Sequence, residues 1–513
     1  MLQFSKSTFS AALAASVSVA FSAPGAFADV TNADVWGNWR GYMEGLGYTI
    51  SASEGSSGNT LTITDITMTV PPSEGVSAIS AVLPSMTMIE QGDGTVRLTL
   101  PPLSRLVVNV DPDDSEAIEM NIDYAQDGFN MIVSGDAAKL DYAFSANSVT
   151  ATLADLVVDG TALGTDFARG KISVSDLNGT SSITTGSPRV AQQNLNAGRL
   201  SYDMDFNDPD TDAVIKVKGG MANLTSTNTS IIPTDGPNMQ DMNAMLDAGF
   251  RGDGTVTYQN GNLDMSFSGP DGAGTLQTTT TGGIFGFSMS SNGLSYDAGQ
   301  TDLTVNALMP DVPIPISMSM AQSKLNFAMP VKKSNEEQDF ALGFTMGDFT
   351  VSDMLWGMLD PGAQLPRDPA TVALDLTGKA KVLFDFLDAD QSAALASSGA
   401  SPGELNALTL KSLLVDAVGA RLSGSGDFTF DNSDTASFGG IPRPQGAVDL
   451  KLVGGNGLLD KLVAMGLLPS QQAMGARMMM GLFAVAGEEP DTLNSKIEFN
   501  EEGHILANGQ RIQ

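Results

Sequence analysis

The chain has 513 residues, no cysteine and a single histidine, and its 59 acidic side chains outnumber 26 basic ones for a formal net charge of −33. A hydrophobic content of 42% is ample for a core and excludes disorder of the whole chain, while the length allows about two to four domains. So acidic a surface repels nucleic-acid phosphates and anionic head groups; the missing thiols exclude disulfides, thiolate nucleophiles, iron–sulfur clusters, cysteine zinc sites and lipid attachment through an N-terminal cysteine.

Residues 1–28 read as a secretory leader. Lys6 supplies the positive start, an apolar and small-residue stretch runs from Phe9 to Phe21, and Ala26-Phe27-Ala28 gives the A-x-A pattern, so cleavage is expected between Ala28 and Asp29. Ser10, Ser16, Ser18 and Ser22 interrupt the stretch, which falls short of the ~20 apolar residues of a membrane span. Later apolar runs are all broken by Gly, Asp or Thr. The expectation is a periplasmic protein with no integral membrane span in the mature chain; the leader addresses only the first crossing, and outer-membrane association or secretion stays open.

Thr31, with Asp34 three residues on, has the form of a helix start, and Val35, Trp36, Trp39, Tyr42 and Leu46 follow at helical spacing. From about residue 60 the period changes to two: Val96, Leu98, Leu100; Ile118, Met120, Ile122, Tyr124; Phe129, Met131, Val133; Leu140, Tyr142, Phe144; Leu200, Tyr202, Met204, Phe206. These read as half-buried antiparallel strands. Between Leu61 and Val70 the apolar phase slips at Asp65, which predicts a β-bulge.

Asn260-Gly261 predicts a two-residue hairpin pairing Tyr258 with Leu263 and Val256 with Met265, and Asn292-Gly293 predicts a second one pairing Met289 with Tyr296. The phrase Gly-Asp-Gly-Thr-Val at 92–96 recurs at 252–256, each copy read as opening a strand, a hint of two related β-rich halves. Helices are expected at 237–249, 352–360, 388–397, 456–467 and 469–485, strands at 408–417, 420–431 and 447–453, and a closing hairpin near 496–512.

The fold class is therefore mainly β with a minority of α: antiparallel, curved or wrapped sheets covered by short amphipathic helices. The chain divides into a leader at 1–28, an N-terminal helix and β-rich half at 29–250, a β-rich middle at 251–400 holding the helix 352–360, and C-terminal strands with methionine-rich helices at 401–513.

Catalytic motifs are sparse. There is no G-x-x-x-x-G-K-[ST], no G-x-G pair completes G-x-G-x-x-G, and no Lys stands three residues after a Ser. His504 is the only imidazole and lies in Glu501-Glu502-Gly503-His504, a turn with no nucleophile nearby in sequence, so it reads as a solvated turn residue. Two acidic clusters, Asp111, Asp113, Asp114 and Glu116, and Asp208, Asp210 and Asp212, have oxygen ligands at alternating spacing. The second has Ala213 where an EF-hand loop requires Gly, and neither has the closing Glu, so both read as acidic turns and no metal or other cofactor is assigned. Met465, Met474, Met478 and Leu482 form an apolar face that either receives a ligand or packs on a sheet. Sheet packing is favoured, with Met478 and Leu482 buried.

Three phrases carry a resemblance: Val35-Trp36-Gly37-Asn38-Trp39-Arg40-Gly41-Tyr42, the central Leu355 to Ala370 with Trp356-Gly357-Met358-Leu359-Asp360-Pro361-Gly362, and Gly446 through Leu459-Asp460-Lys461-Leu462 to Asn508-Gly509. They resemble an exported alphaproteobacterial family, domain-of-unknown-function family 2125, which carries no activity, cofactor or catalytic residue to transfer. The C-terminal order, a Gly-Ser-Gly strand (Leu422 to Phe430), a Pro-Gln-Gly strand, a helix with Leu-Leu-Asp and the terminal Asn-Gly, is similar to the C-terminal region of AsmA-like envelope proteins. That resemblance implies a β-rich fold linked to lipid handling; this chain departs from it in lacking an N-terminal membrane anchor. The functional expectation is a non-enzymatic cell-envelope protein that binds a lipid or an envelope protein partner, with a carboxylate-dependent envelope or polysaccharide hydrolase as the alternative.

Overall fold

The computed structural model describes residues 29–70, 78–111, 116–208, 211–234, 241–399 and 401–512. The expected leader at 1–28 lies outside the described residues, as do Asp113, Asp114 and Asp210 of the acidic clusters.

Helix α1 (Asn32–Gly45) opens on the expected capping box, in which the Thr31 side chain accepts from Asp34 N and the Asp34 carboxylate answers Thr31 N. Nine strands follow: β1 (Thr49–Ser57), β2 (Thr60–Val70), β3 (Ala78–Leu83), β4 (Met86–Glu90), β5 (Val96–Thr99), β6 (Leu103–Asp111), β7 (Ile118–Asp127), β8 (Asn130–Asp136) and β9 (Lys139–Val158). After the short β10 (Thr161–Leu163) comes a meander of long strands: β11 (Ala168–Thr184), β12 (Arg189–Asp208), β13 (Ala213–Ile232), then helix α2 (Met242–Asp247), β14 (Arg251–Gly269), β15 (Gly272–Ser290), β16 (Gly293–Met309), β17 (Val312–Met329) and β18 (Gln338–Val351). The last third holds α3 (Asp353–Leu359), β19 (Ala370–Val382), α4 (Ala389–Ser398), β20 (Gly403–Ala417), β21 (Ala420–Asp431), β22 (Arg443–Val453), α5 (Gly455–Ala464), α6 (Ser470–Phe483), β23 (Val485–Ala486), β24 (Thr492–Phe499), β25 (Ile505–Ala507) and β26 (Gln510–Arg511).

All described strands join one antiparallel sheet, the expected fold class. Its first part is a closed fork. The start of β2 pairs with β4 and its end with β3; the two branches run β4–β5–β8 and β3–β6–β7, and both rejoin on β9. Asp65, at φ 52°, is the bulge at which β2 changes partner, as its phase slip predicted. From β9 the ladder continues through β11 to β22 and β24, with β13 paired to β14 and β19 to β20.

Across the long strands runs a crease. Left-handed Asp176, Asn223, Asn260, Asp302 and Asp348 each sit inside a strand, on β11, β13, β14, β16 and β18. Register places Asp176 and Asn223 on either side of Gly198, Asn260 against Thr281, and Asp302 against Ala321, so the bulges line up. Asp and Asn tolerate this conformation because their short side chains hydrogen-bond locally, as Asp302 does in accepting from Thr281 Oγ1 at 2.7 Å. Each extra residue shifts the side-chain phase by one, which keeps Ile172 and Val174 on the same face as Leu177, and Leu263 and Met265 on the same face as Tyr258 and Val256.

This overturns the Asn260-Gly261 hairpin: β14 passes straight through, paired with β13 and β15 on both sides. The positive φ was legible, but the strand spends it on a bulge. The Asn292-Gly293 hairpin forms with a different register, Met289 opposite Leu294 and Phe287 opposite Tyr296. The second Gly-Asp-Gly-Thr-Val phrase lies within β14, whereas the first makes a turn through left-handed Gly92 and Gly94, so the two copies are not structural equivalents.

Helices segregate by end. α2 and α4 occupy connections at the end where β13 turns to β14 and β19 to β20; α3, α5 and α6 occupy connections at the other end, where β18 turns to β19 and β22 leads to β24. The main core, including Val35, Trp36, Ile63, Ile66, Met88, Val133 and Leu140, lies between α1 and the fork. A second cluster, Ile232, Met245, Leu246, Phe250 and Val331, packs with Tyr42 of α1 and Leu46 just after it and closes the α2 end.

Candidate functional site

The strongest functional feature is the apolar face of the meander. Paired residues of neighbouring strands share a face, so registers convert directly into rows. One row runs Phe285, Ala298, Leu325, Phe344, Leu374 and Leu413 across β15 to β20, and the next runs Phe287, Tyr296, Phe327, Leu342, Leu376 and Leu410. Beyond the crease the face continues through Ile172, Tyr202 and Leu263, and through Phe206, Ile215 and Phe267. No acidic residue stands in any of these rows, in a chain that has 59.

The face is open. Phe285, Tyr296, Leu325, Leu342 and Met346 are 37–50% exposed, as are Ile172, Phe206 and Ile215 at 40–44%. Tyr296 stands between Phe285 and Phe287, with ring centroids 6.2 and 5.3 Å away. Glycines let rings lie flat here: a Cβ on Gly283 would meet the Tyr258 ring at 2.4 Å, and one on Gly378 would meet the Phe340 ring at 2.3 Å.

On β11 to β14 the opposite face carries a polar row. Lys171, Asp203, Lys218 and Asp264 form one row across β11 to β14, bordering an open depression of about 410 Å³. Alternating charges of this kind cancel locally and make a cross-strand ladder.

The residues expected to matter are scattered. Met465 caps α5 half-buried, but Met474 and Met478 are 70% and 72% exposed, and Leu482 is also exposed. The expected burial of Met478 and Leu482 is thereby corrected: α6 turns Ala473 inward, and Arg477 donates to Asn456 and Asp460 of α5, so the methionine stripe faces away from the sheet. The two helices are held by backbone caps, with Asn456 N and Gly457 N donating to the Asp491 carboxylate at 3.1 and 2.8 Å, and by Ser495 Oγ and Asn508 Nδ2 donating to Phe483 O.

His504 is half-buried in the turn between β24 and β25, its N–H donating to Asn500 Oδ1 at 2.9 Å. Of the acidic clusters, Asp208 accepts from Thr211 Oγ1 and Asp212 is left-handed, as in a turn; among the described residues no three Asp, Glu or His side chains gather as metal ligands. The expectation that G-x-S-x-G is missing is corrected: Gly399-Ala400-Ser401-Pro402-Gly403 has that spacing. It leads from helix to strand, the reverse of a nucleophile elbow, and Ser401 Oγ donates to Gly403 O at 2.6 Å.

A buried polar group also escaped the sequence. Arg189, 8% exposed, lies under α1 and donates to Asn38 O at 3.4 Å, and among the described residues no carboxylate pairs with it. Burial lowers its pKa and raises that of Tyr142, whose hydroxyl donates to Asn38 Oδ1 at 2.7 Å. Only register could have revealed it, because Arg189 opens β12 in phase with apolar Ala191.

Of the three phrases that carry the resemblance, the first lies on α1, the second builds the corner after α3, and the third spans β22, α5, α6 and β24. Trp36 stacks on Trp39 at 5.3 Å and donates to Glu54; Asp360 accepts from Gln364 N and Leu365 N, and Arg367 pairs with Asp353 beneath Trp356. The family model described as "Uncharacterized protein conserved in bacteria (DUF2125)" matches residues 244–506, just over half of the chain, and the chain belongs to that family. No curated protein and no solved structure matches it.

Proposed function

We propose that this member of the DUF2125 family is an exported, periplasmic binding protein that holds the hydrocarbon part of a lipid against the open apolar face of β11 to β22, with no chemistry performed on it. The observation that carries this reading is the pair of apolar rows crossing six strands from β15 to β20 with aromatic and leucine side chains half-exposed. Contiguous apolar area on that scale marks a binding surface. Five strand spacings of ~4.8 Å give about 24 Å, more than the ~15 Å one acyl chain spans in a leaflet of a ~30 Å hydrocarbon core. Absence of acid from the rows supports a binding role over a carboxylate-dependent hydrolase, whose acid and base would have to face the bound substrate.

Solvent extraction of the purified protein followed by mass spectrometry tests the reading. Lipid is expected in the extract, and Leu325→Asp, at a half-exposed position that tolerates charge in the free protein, is expected to remove it. An extract free of lipid, or a Leu325→Asp variant that retains as much as the parent, would sink the proposal.

A further inference from the structure

We propose that the α6 end of the molecule docks onto the surface of a lipid bilayer, with the stripe Met474, Met478 and Leu482 inserted at the interface. This deepens the lipid-binding reading, on which it rests for what the membrane supplies. Residues 474, 478 and 482 recur every four positions, so they share one helix face, and all three are more than half exposed; Met479 and Leu467 beside them are 50% and 60% exposed.

Charge selects the occupant. From Lys461 to Gly487 the sequence holds no Asp or Glu, while Lys461 and Arg477 are both basic. A protein of net charge −33 is repelled by anionic lipid over most of its surface; the segment 461–487 carries no acid of its own, and the nearby Asp460 is paired with Arg477, so repulsion is weakest here. The tip is also broad. Pro366, from the loop after α3, and Lys461 Nζ of α5 both lie against the turn at Gly419, 3.0 and 3.7 Å from where its Cβ would stand, so α3 and α5 gather at the same end. α3 presents Met354, Met358 and Leu359 at 53–63% exposure. A short helix with flexible methionines and a leucine exposed on one face and no acid of its own suits a bilayer surface.

Flotation with vesicles of phosphatidylethanolamine and a minor fraction of phosphatidylglycerol tests this. The full protein is expected to float with the vesicles and to keep floating in high salt, since apolar insertion survives screening and repulsion by the acidic body does not. The combined variant Met474→Asp, Met478→Asp, Leu482→Asp is expected to lose at least ~10-fold in the bound fraction. Leu325→Asp, which tests the sheet face, is expected to float normally, and the triple variant is expected to retain extractable lipid loaded during expression, so failure of docking and failure of lipid binding are read separately. The inference is overturned if the parent does not float, if the triple variant floats equally well, or if the stripe instead mediates a concentration-dependent dimer that the triple variant abolishes.

Discussion

One end of the long strands is knitted shut and the other is left apolar and open. At the α2 end, Lys332, only 12% exposed, reaches Asp247 of α2 at 2.9 Å and Asp385 before α4 at 3.4 Å, while Phe386 N donates to Val331 O and Met245 and Leu246 are at most 1% exposed. At the α6 end α5 is capped by the Asp491 carboxylate and tied to α6 by the Asp460–Arg477 ion pair, while α3 and α6 turn Met354, Met358, Leu359, Met474, Met478 and Leu482 outward. The same residue type, methionine on a short helix, is core in one place and surface in the other. What differs is whether a neighbouring element covers it, so stability and surface function are located at opposite ends of one sheet.

The largest test of this contrast is Met245→Asp. An unpaired charge at a fully buried position of α2 is expected to cost about 3–5 kcal/mol, read as a large fall in thermal midpoint. A midpoint within a degree or two of the parent would show that the α2 end is not closed.

The crease that joins the two ends should respond next. Asn260→Val forces a β-branched residue into a left-handed conformation and is expected to cost about 1–3 kcal/mol, whereas Asn260→Gly should be nearly neutral. Chemical denaturation of both variants measures the difference. Equal stability would mean that the bulge moves or vanishes without cost.

Asp385 offers a smaller effect with a defined pH signature. Partial burial raises its pKa, but the Lys333 N–H, the Lys332 charge and Gln391 outweigh burial and leave it below the ordinary carboxylate value. A carboxyl depressed in the folded state contributes stability that is present above its unfolded value, near 3.9, and is lost as pH falls through the folded value. Asp385→Asn is therefore expected to cost on the order of 1 kcal/mol at neutral pH. The gap from the parent should narrow below about pH 4, as followed by acid titration of the midpoint. A gap that stays constant into acid would assign the loss to packing.

How much of this could be read from the sequence follows the reach of each signal. Thr31 with Asp34, the slip at Asp65 and the strand Ala420–Asp431 are local patterns, and the structure reproduces them. Asn260-Gly261 is equally local, but a left-handed residue serves a turn or a bulge, and only pairing on both sides of β14 decides between them. The apolar face depended on a similar step: alternation revealed each strand's apolar side, while the rows needed the register of its neighbours. α6 failed for a third reason. Its apolar stripe was plain in the sequence, yet whether a stripe faces a core or solvent depends on how Arg477 and Asp491 orient the helix pair, which spacing alone does not encode.

The smallest expected effect closes the comparison from the open side. Met474→Gln replaces a 70% exposed side chain with one of similar length and helix propensity, touching neither the Arg477 contacts nor the buried Ala473. Surface changes away from such features shift stability by less than about 0.5 kcal/mol, so the thermal midpoint should match that of the parent. If the midpoint instead falls by several degrees, Met474 is covered in solution by something that stabilises the fold, and the apolar end is an interface that holds the protein together. An unchanged midpoint together with weaker vesicle flotation would show that the exposed methionines act on membrane binding and contribute nothing to folding.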